Sequence, residues 1–270
     1  MSQQTRRRIV VGNHKGGAGK TAYVVNTAAA LATRGHRVLV VDLDPQANAS
    51  RRLGFRWTPD NPVPTVSEAI KADTPGIAAQ AIYRCGWDDP AAERIDLIPA
   101  RFDLENRISE AGTVGAFKRL RNALEGVDDE YDITLIDCPP SLGHLTQMAL
   151  AAGDGVVIVV EPEYDGVEGA VRLRDFVTTR AADLDNPGLP IIGYVVSRYR
   201  RGLGAHAYQV DGFAELFGDK VWKPYVPERA SIKDAADAAV PLHSIRGTGE
   251  LVTVFDELAG VLAGELGIAR

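Results

Sequence analysis

The chain has 270 residues, 45% hydrophobic and 24% charged, which is enough apolar surface for a buried core and excludes a mostly disordered polypeptide. A formal net charge of −6 argues against a broad basic footprint, so any nucleic-acid contact has to come from a local patch. Two well-separated cysteines, Cys85 and Cys138, histidines without ligand spacing, and no secretory or membrane-length apolar run predict a reduced, cytoplasmic protein with neither zinc site nor membrane span.

Residues 1–8 are polar, with Arg6, Arg7 and Arg8 together, and read as a flexible, solvated lead-in too short for an N-terminal helix-turn-helix domain. A strand at Ile9–Val11 then runs into His14-Lys15-Gly16-Gly17-Ala18-Gly19-Lys20-Thr21, followed by a helix opening at Lys20. Glycines before a helix N-terminus let successive N–H groups face an anion, so this stretch reads as a phosphate-binding loop. Lys20 supplies a charge for the β/γ-phosphates and Thr21 a hydroxyl for Mg²⁺. The fit to the ordinary loop is imperfect: His14 stands where Gly is expected, and Lys15 is a second lysine inside the loop.

Val24, Val25, Ala28, Leu31 and Ala32 recur at helical spacing, and Gly35 is placed to end that helix. Arg37–Val41 is a strand, apolar throughout from Val38, which fits a strand covered on both faces; it ends in Asp42-Leu43-Asp44-Pro45. Residues 46–64 read as a long surface excursion with short helical turns, a candidate switch beside a nucleotide. Next come a helix over 65–72, with Ser67 among its possible caps, a strand over 95–99 and an amphipathic helix over 104–124. Ile133–Asp137 is an apolar strand closing on a carboxylate, broken by Cys138-Pro139-Pro140-Ser141. Strand and helix then alternate: 156–160 and 167–179, 191–196 and 205–217, a short strand over 221–226, a helix over 231–239 and a C-terminal helix carrying Leu251, Val254, Phe255, Leu258 and Leu262. This alternation predicts an α/β fold: a single domain over 1–270 with a doubly wound, mostly parallel twisted sheet and helices on both faces.

In such a sheet, ligands bind outside the carboxyl ends of the strands, so Asp42, Asp44 and Asp137 should converge on the crevice that holds Lys20 and Thr21. That is a nucleotide site with Mg²⁺, a hard cation that takes oxygen ligands. One rival is a dinucleotide fingerprint, because Gly17-Ala18-Gly19-Lys20-Thr21-Ala22 also satisfies G-x-G-x-x-A with Asp42 at the ribose distance, as in an NAD-dependent oxidoreductase. That reading leaves Lys15, Asp44 and Asp137 unexplained.

The segments Lys15–Thr21, Val40-Val41-Asp42-Leu43-Asp44-Pro45-Gln46 and Leu135-Ile136-Asp137-Cys138-Pro139-Pro140-Ser141 resemble the ParA branch of the ParA/MinD deviant Walker-type P-loop ATPases. The similarity extends through Ile98-Pro99-Ala100, 149–154 and 226–241, so it spans nearly the whole chain. It implies an ATP-dependent homodimer that sandwiches two ATP molecules, with Lys15 reaching the partner's nucleotide as an arginine finger would. It further implies that Lys20 holds the β/γ-phosphates, that Thr21 and Asp137 serve Mg²⁺ with Asp42 near the metal, and that Asp44 orients the attacking water. Gly16, Gly17, Ala18, Gly19 and Ala22 would complete the nucleotide cradle, and Pro227 would lie against adenine. Departures are His14, Ala18 and Ala22, peripheral to the chemistry, and the stretch Ser197-Arg198-Tyr199-Arg200-Arg201, where an acidic residue is usual near Arg200.

The resemblance also implies a nucleoid-associated partition protein that binds DNA nonspecifically and hydrolyses ATP slowly when stimulated by a ParB-like centromere-binding protein. Residues 197–233 carry Arg198, Arg200, Arg201, Lys220, Lys223, Arg229 and Lys233 against four carboxylates, a patch that dimerisation would double. The candidate DNA contacts are therefore Arg198, Arg200, Arg201, Lys223, Arg229 and Lys233. A MinD-like membrane helix is disfavoured, because residues 248–270 hold four carboxylates against Arg270 alone. A ParA-like ATPase that positions a protein cargo would share every site residue named here.

Overall fold

The computed structural model describes residues 7–58 and 62–268. Its strands are β1 (Arg8–Gly12), β2 (Val38–Asp42), β3 (Tyr83–Arg84), β4 (Ile95–Ile98), β5 (Ile133–Asp137), β6 (Gly155–Val160), β7 (Ile191–Val196) and β8 (Val221–Trp222). They form one sheet in the order β3-β4-β2-β5-β1-β6-β7-β8, parallel throughout except for the antiparallel edge strand β3. The chain winds from β1 outward to β2 on one side, and from β5 across β1 to β6 on the other. β1 therefore lies where the winding reverses, and the loop leaving its carboxyl end opens into the crevice.

The apolar strands have no solvent face. Side chains alternate across the sheet, so Val10, Leu39, Val41, Ile136 and Ile158 enter one core while Ile9, Val11, Val40, Leu135 and Val157 enter the other. The second core is covered by α1 (Lys20–Thr33), α2 (Asn48–Arg52) and the C-terminal helix; the first is covered by α3 (Val66–Ala72), α4 (Arg119–Ala123), α5 (His144–Ala152) and α6 (Tyr164–Arg180). Toward the C-terminus follow α7 (Gly204–Asp211), α8 (Phe213–Phe217), α9 (Ser231–Ala238) and α10 (Gly249–Glu265).

Several local expectations are corrected. The helix expected over 104–124 is broken: 3₁₀ turns occupy Phe102–Gly112 and Ala116–Lys118, and only Arg119–Ala123 is α-helical. Gly112 and Gly115, the latter at φ +75°, interrupt the ladder despite the amphipathic pattern around them. The helix expected over 205–217 divides at Gly212, and the strand expected over 221–226 pairs only through Trp222. Thr65, rather than Ser67, caps α3: its hydroxyl accepts from Ser67 N, and Glu68 reaches back to Thr65 N at 2.7 Å, a capping box.

Arg8 is the largest departure. It does not belong to a solvated lead-in but sits inside β1, 1% exposed, with Nε and Nη2 on the Asp128 carboxylate at 2.6 and 2.7 Å. Thr134 Oγ1 donates to the same carboxylate at 3.0 Å. An arginine run reads as surface by composition, yet a bidentate partner 120 residues away makes one of its members a core residue. The remainder of the expected tail, residues 1–6, lies outside the described residues.

Candidate nucleotide-binding site

The loop between β1 and α1 is held from three sides. Asn13, 2% exposed, donates from Nδ2 to Val159 O and Gly166 O at 2.7 and 3.2 Å, and its Oδ1 accepts Lys15 N at 2.8 Å. Ser197 Oγ donates to Ala18 O at 2.7 Å, and Arg198 Nη1 to Gly17 O at 3.2 Å. Gly17 and Gly19 occupy the left-handed region at φ +81° and +94°, and a Cβ on Gly19 would run into Ser197 Oγ. Gly169 on α6 brings that helix against the loop: a Cβ there would sit 3.0 Å from Lys15 N. Asn13, Ser197 and Arg198 were not singled out as loop supports, because single polar residues at strand ends carry no spacing signal.

Beside the loop lies a cavity of about 340 Å³. Gly17, Gly19, Lys20, Thr21 and Ala22 form one wall, Asp44, Gln46, Asn48 and Arg52 another, and Val226, Pro227, Ile232 and Phe255 an apolar end. Gly16 is exposed, Ala18 is buried, and neither lines the cavity. The cavity combines a polar phosphate cradle with an apolar slot, the composition a nucleotide needs. Pro227 falls in that slot.

The two loop lysines are sorted to different places. Lys20 is buried, its ammonium 3.3 Å from Lys15 O, and burial lowers its pKa against the charges of Asp137, Cys138 and Asp44. Lys15 does not line the cavity: its ammonium turns away to Glu161 at 3.1 Å and Glu163 at 3.6 Å. Burial alone would lower Lys15, but the hydrogen bond and charge of Glu161, with Glu163 and Asp165, raise it overall.

The three strand-end carboxylates divide the work. Asp42 and Asp137 are register partners on β2 and β5, both wholly buried. Asp42 accepts Ser50 N and Oγ at 2.8 and 2.7 Å on one oxygen and Asp44 N at 3.1 Å on the other. Its oxygens thus accept three protein donors, so Asp42, expected near the metal and beside Asp137, also fixes the turn that presents Asp44. Asp44 lines the cavity, its Oδ1 accepting Gln46 N at 2.9 Å. Both oxygens of Asp137 lack a hydrogen-bond donor. Burial raises its pKa first and the Asp42 charge second, while Thr21 and Lys20 favour its ionised form. A buried carboxylate with both oxygens free, beside a threonine hydroxyl and a lysine, fits a divalent cation. Among the described residues no group of three or more His, Cys, Asp or Glu side chains encloses a metal, so phosphate oxygens and water would complete the shell.

An AAA-domain family signature matches residues 6–189. The chain is 36% identical over 246 residues to the sporulation initiation inhibitor protein Soj of Bacillus subtilis, covering 87% of this chain and 89% of that protein. It is 33% identical over 254 residues to the chromosome partitioning protein ParA of Caulobacter vibrioides, covering 90% and 88%. The chain belongs to the ParA/MinD family of P-loop ATPases. Cobyrinic acid a,c-diamide synthase of Mycobacterium smegmatis, solved with bound ADP and magnesium, superposes on this ParA/MinD-type ATPase with a TM-score of 0.75 at 28% identity, covering 96% and 95% of the two chains.

Within this ATPase part of the basic stretch of 197–233 expected to meet DNA is paired inside the subunit. Arg198, a non-glycine residue at φ +56°, pairs with Glu161 at 3.3 Å and Glu228 at 2.8 Å, and Arg200 pairs with the same Glu228. Those arginines hold Glu228 well below the ordinary glutamate range, at about 2. Arg229 and Lys233 line the nucleotide cavity, Arg229 lying 3.4 Å from Glu250. Arg201 and Lys223 are exposed. Spacing along the chain does not show that Glu161, from the loop after β6, joins Glu228 on these arginines. No helix among the described residues is long and apolar enough to cross a membrane.

Proposed function

We propose that this chain is a DNA-partition ATPase over its whole length: Mg–ATP draws two copies into a dimer, the dimer binds DNA nonspecifically, and slow hydrolysis stimulated by a ParB-like centromere-binding protein releases it. The sorting of the two loop lysines carries this reading. Lys20 lines its own cavity, whereas Lys15 does not and holds Glu161 instead, which leaves it as the loop lysine that could serve a second subunit's nucleotide once that contact is released. A second cation there would spread the charge of the transferring phosphoryl group. The name of the Caulobacter relative, a chromosome partitioning protein, supports partition as the process served.

In this reading Lys20 takes the β/γ-phosphates, Asp44 orients the attacking water, and Pro227 lies against the base. Thr21 and Asp137 would hold Mg²⁺, which supplies positive charge to the phosphate oxygens. Asp42 acts through the Asp44 turn. Exposed Arg201 and Lys223, with Arg229 and Lys233 at the cavity rim, are the cations left to meet DNA phosphates.

The test is sedimentation, ATP turnover and DNA retention with and without Mg–ATP. Lys15→Ala is expected to lose both dimerisation and turnover, and Asp44→Ala to keep ATP dimers while stopping turnover. Full activity in either variant overturns the assignment. DNA retention should fall steeply with salt and drop in the Arg201→Glu/Lys223→Glu double variant; retention unchanged in that variant removes this DNA face.

A further inference from the structure

The wall of the cavity facing the phosphate loop contains a cation that the family pattern does not explain. Asn48 and Arg52 stand one turn apart on α2, so both face the cavity alongside Asp44 and Gln46. The neighbouring Arg51 is satisfied, reaching Ala236 O at 3.5 Å and Asp237 at 3.6 Å. Arg52 has no such partner: among the described residues its guanidinium makes no hydrogen bond or ion pair, and its Nε is shut off from solvent. The backbone beneath it is fixed, because Trp87 Nε1 donates to Arg52 O at 2.7 Å. Burial lowers the pKa of the guanidinium, and Asp137 is the first of the carboxylates whose charge reaches it.

The Arg52 side chain is partly buried and its Nε is shut off from solvent without an acceptor, and a buried guanidinium donor normally finds a carboxylate, a carbonyl or a phosphate, since it costs free energy when left unused. The protein offers Arg52 none of these, while the space in front of it is the cavity that holds Lys20 and Thr21. We infer that Arg52 is a nucleotide-binding residue of this chain, its guanidinium fork taking phosphate oxygens of the ATP bound in the same subunit. This rests on the ATP-site reading above and deepens it. With Lys20 lining the same cavity, the phosphates would meet two cations of one subunit before Lys15 of a second copy arrives. The planar fork suits two oxygens at once, so lysine is an incomplete substitute.

The test measures binding of Mg–ATP and of Mg–tripolyphosphate, which lacks base and sugar, to the full chain and to Arg52→Gln, Arg52→Lys and Arg51→Gln. Arg52→Gln is expected to weaken both ligands by about 10- to 100-fold, as removal of a charged hydrogen bond does. Arg52→Lys should fall between wild type and Arg52→Gln, and Arg51→Gln should bind as wild type does. Without nucleotide, Arg52→Gln should melt no lower than wild type, because the cation it removes is unpaired. Binding of Mg–ATP within twofold of wild type overturns the inference. So does a loss for ATP with tripolyphosphate unchanged, which assigns Arg52 to base or sugar, and so does a lowered melting temperature without ligand, which makes it a structural residue. Failure of the wild-type chain to bind Mg–ATP is a separate result that overturns the site itself.

Discussion

Lys15 cannot serve a second subunit while it stays on Glu161, so weakening that contact should promote the dimer. The pair is 3.1 Å apart with side chains 23% and 7% exposed, and Glu163 adds a weaker contact at 3.6 Å from a half-exposed position. At an effective dielectric of about 20 the bare attraction is about 5 kcal/mol, most of it offset by desolvation. A charged hydrogen bond of this kind nets about 1.5–3 kcal/mol. Because Glu163 remains, we take the lower figure for Glu161→Gln; two subunits each release one contact, so dimerisation should gain about 3 kcal/mol, or about 10²-fold in Kd. The phosphate loop should survive the change, since Arg198 keeps Glu228 at 2.8 Å and Gly17 O at 3.2 Å. The assay is sedimentation velocity across protein concentration with Mg–ATP, in an Asp44→Ala background that suppresses turnover. ATP affinity of the monomer should stay within twofold. A dimer no tighter than that of the parent would refute the reasoning, because the contact would then restrain nothing.

Other perturbations follow from the same geometry. Asp128→Ala strands the Arg8 guanidinium in the core and should cost about 3–5 kcal/mol, a fall of about 6 °C or more in Tm for a chain of this size, with Arg8→Met/Asp128→Leu recovering much of it; a Tm within 1–2 °C of wild type would show the pair to be dispensable. Gly19→Ala places a Cβ at φ +94° against Ser197 Oγ and should abolish measurable Mg–ATP binding by calorimetry, whereas wild-type affinity would mean the loop tolerates the shift. Cys85 and Cys138 are both buried, and burial raises each thiol, Cys85 to about 12. Neither should react with a thiol reagent at pH 8 until the protein is unfolded; fast labelling of the native chain would contradict that burial.

What could be read directly was whatever the local pattern determines. Apolar runs such as Val38–Val41, with the mostly apolar Ile133–Ile136, require cover on both faces, and that implies a parallel sheet with helices on each side. The loop from Lys15 to Thr21 announces phosphate binding because so few residue combinations permit its backbone. Periodicity misled where glycines sat among well-spaced apolar residues, as around Gly112, Gly115 and Gly212, since it registers side chains and not the cost of the backbone beneath them. It also could not find α5, short and placed directly after a proline-rich break, nor the two-residue edge strand β3.

Long-range charge pairing was the part beyond reach, and in this molecule it decides function. Arg8, Lys15, Arg198 and Arg200 all read as free cations in the chain. Each is bound in the fold by a carboxylate between 28 and 146 residues away: Asp128, Glu161 and Glu228. Within the 197–233 stretch Arg198 and Arg200 are thereby paired inside the subunit, and Arg198 braces the phosphate loop from the β7 side. Arg52 is the reverse case, ordinary in the sequence and conspicuous in the fold because among the described residues its guanidinium has no hydrogen bond or ion pair. Arg198, paired within the subunit, helps hold the loop in shape, and Arg52, without an ion pair at the cavity, is expected to join Lys20 on the phosphates. In the proposed function Lys15 would belong to both groups in turn, held by Glu161 in the single subunit and released to a second one, so the strength of that contact would set how readily ATP makes a dimer.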